Sequence, residues 1–115
     1  VIIAASMVHF IGEHFQCPLR EGNYRLRLFV SIIKEAVEQL AGDIEILRTG
    51  DDLYIAGRKL TVAIATVSSV STLFHCGVNI DPQGAPVPAI GLEEIGVDFA
   101  ELARLVLEKY SEECA

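Results

Sequence analysis

Basic residues are scarce: nine Lys and Arg stand against 16 Asp and Glu, a net charge of −7 over 115 residues. A protein that tracks a nucleic-acid backbone neutralises phosphates with clustered cations, so this balance argues against nucleic acid as a partner. One local group exists, Arg20, Arg25 and Arg27, and it reads as a solvated helix face. Long apolar runs are missing too. Residues 62–67 and 1–5 fall far short of the ~20 residues a helical membrane span needs, so no membrane is expected. Residues 1–5 also lack the basic flank and small-residue cleavage site of a secretory signal. The three cysteines, Cys17, Cys76 and Cys114, are odd in number and form no Cys-x-x-Cys pair. They suit free thiols in a reducing compartment, hence a cytoplasmic location, better than a disulfide framework. There is no Gly-x-Ser-x-Gly, phosphate-cradling Gly-rich loop or dinucleotide fingerprint, and no repeat or linker. The first residue is Val, so the chain is expected to be part of a longer protein.

What is present is a packed globule: 51% hydrophobic and 22% charged residues, at the length of a single domain over 1–115. Residues 1–5 read as a strand, closed by turn signals at Cys17-Pro18 and Gly22-Asn23. From Tyr24 the apolar spacing becomes three and four. Leu26, Phe29, Val30, Ile33, Val37 and Leu40 form one stripe of a helix capped by Asn23 and stopped by Gly42. Strands follow at 44–48, 52–55, 59–67 and 72–80, separated by Gly50-Asp51, Ala56-Gly57 and a Ser-rich turn. Asp81-Pro82-Gln83-Gly84 makes a further turn, and Pro86 and Pro88 hold the next stretch extended. Asp98-Phe99-Ala100-Glu101 is a capping box that opens a helix to about Glu113, with Phe99, Leu102, Val106 and Tyr110 inward. The order implies an α+β fold: a mostly antiparallel sheet flanked by two amphipathic helices.

Alternation in the last two strands separates their faces. Leu60, Val62 and Ile64 oppose Thr61, Ala63 and Ala65; Phe74, Cys76, Val78 and Ile80 oppose Leu73, His75, Gly77 and Asn79. The apolar sets are expected to be buried together. The small and polar sets either form a shallow ligand platform edged by His75, Gly77, Asn79, Thr61 and Lys59, or let a helix approach closely. No metal is expected from His9, Glu13, His14 and Cys17. On a strand His9 and Glu13 point away from His14, and the spacing is not that of a zinc-binding helix.

The stretch Gly50-Asp51-Asp52-Leu53-Tyr54-Ile55-Ala56-Gly57-Arg58-Lys59-Leu60 resembles the core signature of biotin and lipoate protein ligases: an acidic pair, a strand, a Gly turn, then a functional Lys. The chain as a whole is similar to an uncharacterised family, domain of unknown function 366, itself similar to the ligase fold. That resemblance rests on Met7-Val8-His9-Phe10-Ile11-Gly12-Glu13-His14-Phe15, Ala63-Ile64-Ala65-Thr66-Val67-Ser68 and Ser71-Thr72-Leu73-Phe74-His75-Cys76-Gly77-Val78-Asn79-Ile80. It implies a biotin/lipoate protein ligase-like fold and the binding or ATP-dependent adenylation of a small carboxylic acid, with ATP and Mg as the cofactors. Lys59 would be the catalytic cation and Asp52 would organise its turn, with Thr61, His75, Gly77 and Asn79 around the ligand. Two departures stand beside it. Thr61-Val62 replaces the small residues that follow the ligase Lys, and the Arg- and Gly-rich loop of the ligases' N-terminal part has no counterpart here. The alternative is a non-enzymatic domain of the same fold, used for self-association as a homo-oligomer or for partner binding.

Overall fold

A computed structural model describes residues 6–114. The strand expected at residues 1–5 lies outside the described residues. The elements run β1 (Ser6–Phe15), α1 (Leu19–Ala41), β2 (Leu47–Thr49), β3 (Asp52–Ile55), β4 (Arg58–Lys59), β5 (Thr61–Val67), β6 (Ser71–Asp81) and α2 (Phe99–Glu113). They build two antiparallel three-stranded sheets, in the orders β1-β6-β5 and β2-β3-β4. The chain passes from one sheet to the other through Leu60, whose N–H donates to Leu53 O while its own carbonyl accepts from Asn79 N. Leu60 is fully buried at this join. The strand expected over 59–67 is therefore two strands with a break. No helix of the described residues is long and apolar enough to cross a membrane.

Helix α1 begins four residues before the expected Asn23 cap. Pro18 holds the cap position in extended conformation, and Gly22 N–H already donates to Pro18 O. Glu21 in this first turn suits the helix dipole. The Gly22-Asn23 pair, expected to be a turn, is helical, and Gly22 serves close packing there: a Cβ would lie 2.1 Å from Thr72 Cγ2. At the other end Gly42, at φ 82°, closes the helix with its N–H on Glu38 O, as its position in the sequence suggests.

The expected α1 stripe is buried apart from Leu40, which is half-buried. Helix α2 starts at the capping box, with the Asp98 carboxylate accepting from Glu101 N–H at 3.0 Å. Leu102 and Val106 are fully buried, but Phe99, expected inward, is 49% exposed in the first turn of α2.

One expectation about the strands is overturned. Val62 and Ile64 are 52% and 57% exposed, while Thr61 is fully buried. Register explains it: Ala63 pairs with Cys76 and Ala65 with Phe74, so the small residues of β5 share the inner face with the large ones of β6. Helix α1 covers that face, and small residues on β5 let it lie close. The two small faces therefore do not coincide. Val62 and Ile64 fall beside Gly77 and His75 on the outer face.

Candidate functional site

The Lys59 position is set by two successive turns. Gly50, at φ 63°, turns β2 into β3, and Ala56 and Gly57, at φ 51° and 77°, turn β3 into β4. Two left-handed residues in a two-residue loop match the twist of a tight hairpin. The hairpin pairs Tyr54 with Lys59 and Ile55 with Arg58. Asp52, at the start of β3, then comes within reach of Lys59, with Nζ 3.4 Å from Asp52 Oδ1 and both side chains 29% exposed. Outside the hairpin, the Lys59 backbone is fixed by the proline-containing segment: its N–H donates to Pro88 O and its carbonyl accepts from Ile90 N–H. Pro88 cannot donate but accepts here, which is how a segment interrupted by prolines still joins the sheet. Arg58, next to it in β4, forms an ion pair with Glu94.

Two other candidates serve this scaffold directly. The Asn79 amide donates to both Lys59 O and Ile90 O, at 3.1 and 3.2 Å, so it clamps the backbone on either side of the bridge. Thr61 Oγ1 accepts from Leu53 N–H at 3.1 Å inside the core. Both side chains are buried and committed to main-chain partners. They position the hairpin around Lys59 and Asp52.

His75 and Gly77 lie elsewhere, on the outer face of β6. His75 Nε2 is 2.8 Å from His9 Nδ1 of β1, and a Cβ at Gly77 would meet Met7 Cε at 2.6 Å and His9 Nδ1 at 3.3 Å. Ile11, Val62 and Ile64 surround the pair, all exposed. The sequence candidates thus divide into a Lys59–Asp52–Thr61–Asn79 group at the join of the sheets and a His75–Gly77 group on the open face. His9 was missed as a partner of His75. They stand 66 positions apart, and the sequence between them carries no sign of their register; only the opposite parity of His9 and His14 on a strand is legible, and it holds.

His14 points inward. Arg25 can only donate, so His14 Nδ1 accepts from it, at 3.3 Å, and Nε2–H donates to the Tyr110 hydroxyl at 2.7 Å. Arg25 also pairs with Glu21, whose Oε2 accepts from the Cys17 thiol at 3.2 Å. The sequence group Arg20, Arg25 and Arg27 is accordingly split: Arg25 belongs to this network, while Arg20 and Arg27 line a shallow cleft with Asn23, Tyr24 and Asp51.

Burial, and after it the Arg25 charge, lowers the His14 pKa below the ordinary 6.5, with Glu21 opposing. Burial, aided by the Glu21 carboxylate, pushes the Cys17 thiol up. Burial likewise raises Cys76 to about 12, with Asp51 and Asp52 adding to it, so Cys76 is an inert core thiol.

The His14 shift has a pH signature. A folded pKa below the unfolded one favours the neutral form, so the contribution is full above about pH 6.5 and drains as pH falls through the lowered value. Thermal melts through the acid range should show falling stability that is shallower in His14→Gln. Equal slopes for the two proteins would remove His14 as the cause.

The arrangement has the biotin/lipoate protein ligase-like fold, as superposition on solved structures shows. A biotin protein ligase from Aquifex aeolicus in complex with biotin and ATP superposes with a TM-score of 0.69 at 22% identity, over 92% of this chain and 49% of that one. A candidate lipoate protein ligase from T. acidophilum gives 0.70 at 11% identity, over 94% and 51%. These likenesses establish the fold. The chain itself belongs to the family described as domain of unknown function (DUF366), whose model matches residues 1–115. It is 38% identical to an uncharacterized protein of Methanocaldococcus jannaschii, over 97% of this chain and 51% of that protein. A protein of unknown function from Pyrococcus horikoshi, also 38% identical, superposes with a TM-score of 0.82 over 92% of this chain and 59% of that one. The chain spans about half the length of these relatives.

Proposed function

We propose that this chain binds a small carboxylic acid and, in a protein of the full ligase length, activates it with ATP. The observation that carries this reading is Lys59. It occupies the end of an acidic-pair hairpin, is half withdrawn from solvent, is held by Asp52, and has its backbone tied on three sides. A carboxylate oxygen that attacks the α-phosphorus of ATP displaces pyrophosphate and leaves an acyl-adenylate. Negative charge builds on the phosphate oxygens during that step, and a cation fixed beforehand lowers its energy without reorganising. Asp52 keeps Lys59 extended along the hairpin until a ligand anion competes for it. Asn79 and Thr61 act through the backbone, as positioning residues. A ligase of similar fold is seen in complex with biotin and ATP, and another with bound biotinylated ATP, which supports the substrate class. Magnesium enters with the nucleotide, since among the described residues no three acidic, His or Cys side chains gather around one point.

A thermal-shift screen against ATP with magnesium, biotin, lipoate and medium-chain fatty acids tests the reading. A ligand held at a hundred times its Kd stabilises the native state by about 2.7 kcal/mol. One of the acids is expected to raise the melting temperature by several degrees, and more so with ATP present. If none does, the ligase reading of this chain fails.

A second reading, a non-enzymatic module that self-associates or docks a partner, is favoured by the outer sheet face. Ile11, near Ile64 across β6, is 76% exposed there, and Phe15, at the far end of β1, is 67% exposed. Light scattering during size exclusion separates the two, because self-association through this face predicts a concentration-dependent mass that falls in Ile64→Lys.

A further inference from the structure

We infer that the outer face of the β1–β6 ladder carries a two-histidine chelate for a divalent late first-row metal ion, formed by His9 and His75. Neither residue has a part in the Lys59 hairpin, so the site is independent of the proposed ligase chemistry.

The register builds the pair. His9 lies opposite Gly77, and Ile11 lies opposite His75, so the two histidines occupy diagonal positions on one face of adjacent strands. Diagonal neighbours have Cα atoms only about 7–8 Å apart, within reach of two imidazoles turned toward each other. Gly77 makes that turn sterically open. Without a Cβ it leaves the space above β6 to His9 Nδ1 and Met7 Cε, both of which a side chain there would crowd. Neighbouring strand positions close the sides of the site with Met7, Ile11, Val62 and Ile64.

The geometry of the rings is that of a chelate held closed by a proton. His9 Nδ1 and His75 Nε2 are 2.8 Å apart, the ring centroids 4.9 Å, and the ring planes 21° from parallel. With the nitrogens so much closer than the centroids, the rings meet edge to edge, nitrogen to nitrogen. One of the two nitrogens must carry the hydrogen between them. A tetrahedral ion with metal–nitrogen bonds of 2.0–2.1 Å separates its ligand atoms by about 3.3 Å. Opening the pair by about half an ångström, with each ring turned by about 35° from the present nitrogen-to-nitrogen line, therefore brings both lone pairs onto one ion. The donor ring moves its hydrogen to its other nitrogen through solvent, which frees the facing lone pair for the ion.

Two imidazoles alone do not saturate such an ion. Among the described residues no third His, Cys, Asp or Glu joins them, so the remaining positions belong to water or to an exogenous ligand. His9 is exposed and His75 half-buried, which leaves the site open on its outer side. Imidazole ligands select the late first-row ions, Ni2+, Cu2+ and Zn2+, over Mg2+ and Ca2+. The second imidazole binds intramolecularly once the first is engaged, so the pair gains affinity that neither ring has alone.

Ni2+ is the probe of choice, because it does not oxidise the free thiols as Cu2+ does. Calorimetric titration of the whole chain with Ni2+ is expected to give one equivalent per chain. His9→Ala and His75→Ala should each weaken binding at least about tenfold, while His14→Gln leaves it unchanged. In the unmodified protein, substoichiometric Ni2+ should broaden the imidazole proton resonances of His9 and His75 before those of His14, a readout that needs no variant to fold. Binding that survives the loss of both His9 and His75, or broadening that begins at His14, would overturn the assignment. So would the absence of a saturable site.

Discussion

Replacing Phe74 by alanine is expected to destabilise the fold by about 3–5 kcal/mol. Its ring is 2% exposed and lies over Gly12 of β1, where a Cβ would come within 2.4 Å of it. It also meets the rings of Phe29 and Tyr110, at 5.1 and 5.9 Å between centroids. Phe74 is therefore the point at which β6, α1 and α2 join. The cavity left by its removal has walls on three elements, none of which can collapse alone. Against the 5–15 kcal/mol typical of a domain, a loss of roughly that size removes about a fifth or more of the stability. Chemical denaturation of the variant measures it directly. A loss below about 1.5 kcal/mol would mean that the two helices do not share this ring, since cavities of this kind rarely cost so little.

Gly22→Ala should be destabilising by about 1–3 kcal/mol, although alanine is intrinsically the better helix former by about 1 kcal/mol. The added methyl would sit 2.1 Å from Thr72 Cγ2 and 2.9 Å from Thr72 Cβ. Thr72 cannot give way cheaply, because it is fully buried and its hydroxyl donates to Cys17 O at 2.6 Å. Either α1 lifts from β6 or that hydrogen bond is lost. A variant as stable as the parent would show that helix and sheet are further apart than described.

Much of this architecture is legible in the residues. The α1 stripe, the Gly42 stop, the Asp98 cap, the two Gly-containing turns and the β3 bounds follow from periodicity and turn chemistry acting over a few positions. Strand β1 is harder to read. Its inner face carries Phe10, Gly12 and His14 and its outer face His9, Ile11 and Glu13, so neither side shows the apolar alternation that announces a half-buried strand.

The face of β5 was misassigned for a different reason. Val62 and Ile64 are more apolar than Ala63 and Ala65, yet burial is decided by the volume available under α1, a property of the packed whole. Sites behave in the same way. Lys59 and Asp52 stand close in sequence and their relation can be anticipated, whereas Asn79 reaches Lys59, and His9 reaches His75, only through long-range register. The polar residues Thr61 and Asn79 looked like ligand contacts because nothing local reveals that a backbone amide or carbonyl awaits them.

The most direct measurement is the calorimetric titration of the unmodified chain and of Lys59→Ala with the carboxylic acid that gives the largest thermal shift, in the presence of ATP and magnesium. An ion pair as exposed as Lys59–Asp52 contributes about 0–1 kcal/mol to folding, so the variant should melt close to the parent without ligand. A charge-assisted hydrogen bond to a ligand anion is worth about 1.5–3 kcal/mol, so binding should weaken at least about tenfold. The proposed role of Lys59 predicts intact folding with that loss of affinity; equal affinity of the two proteins for the same acid and nucleotide would contradict it.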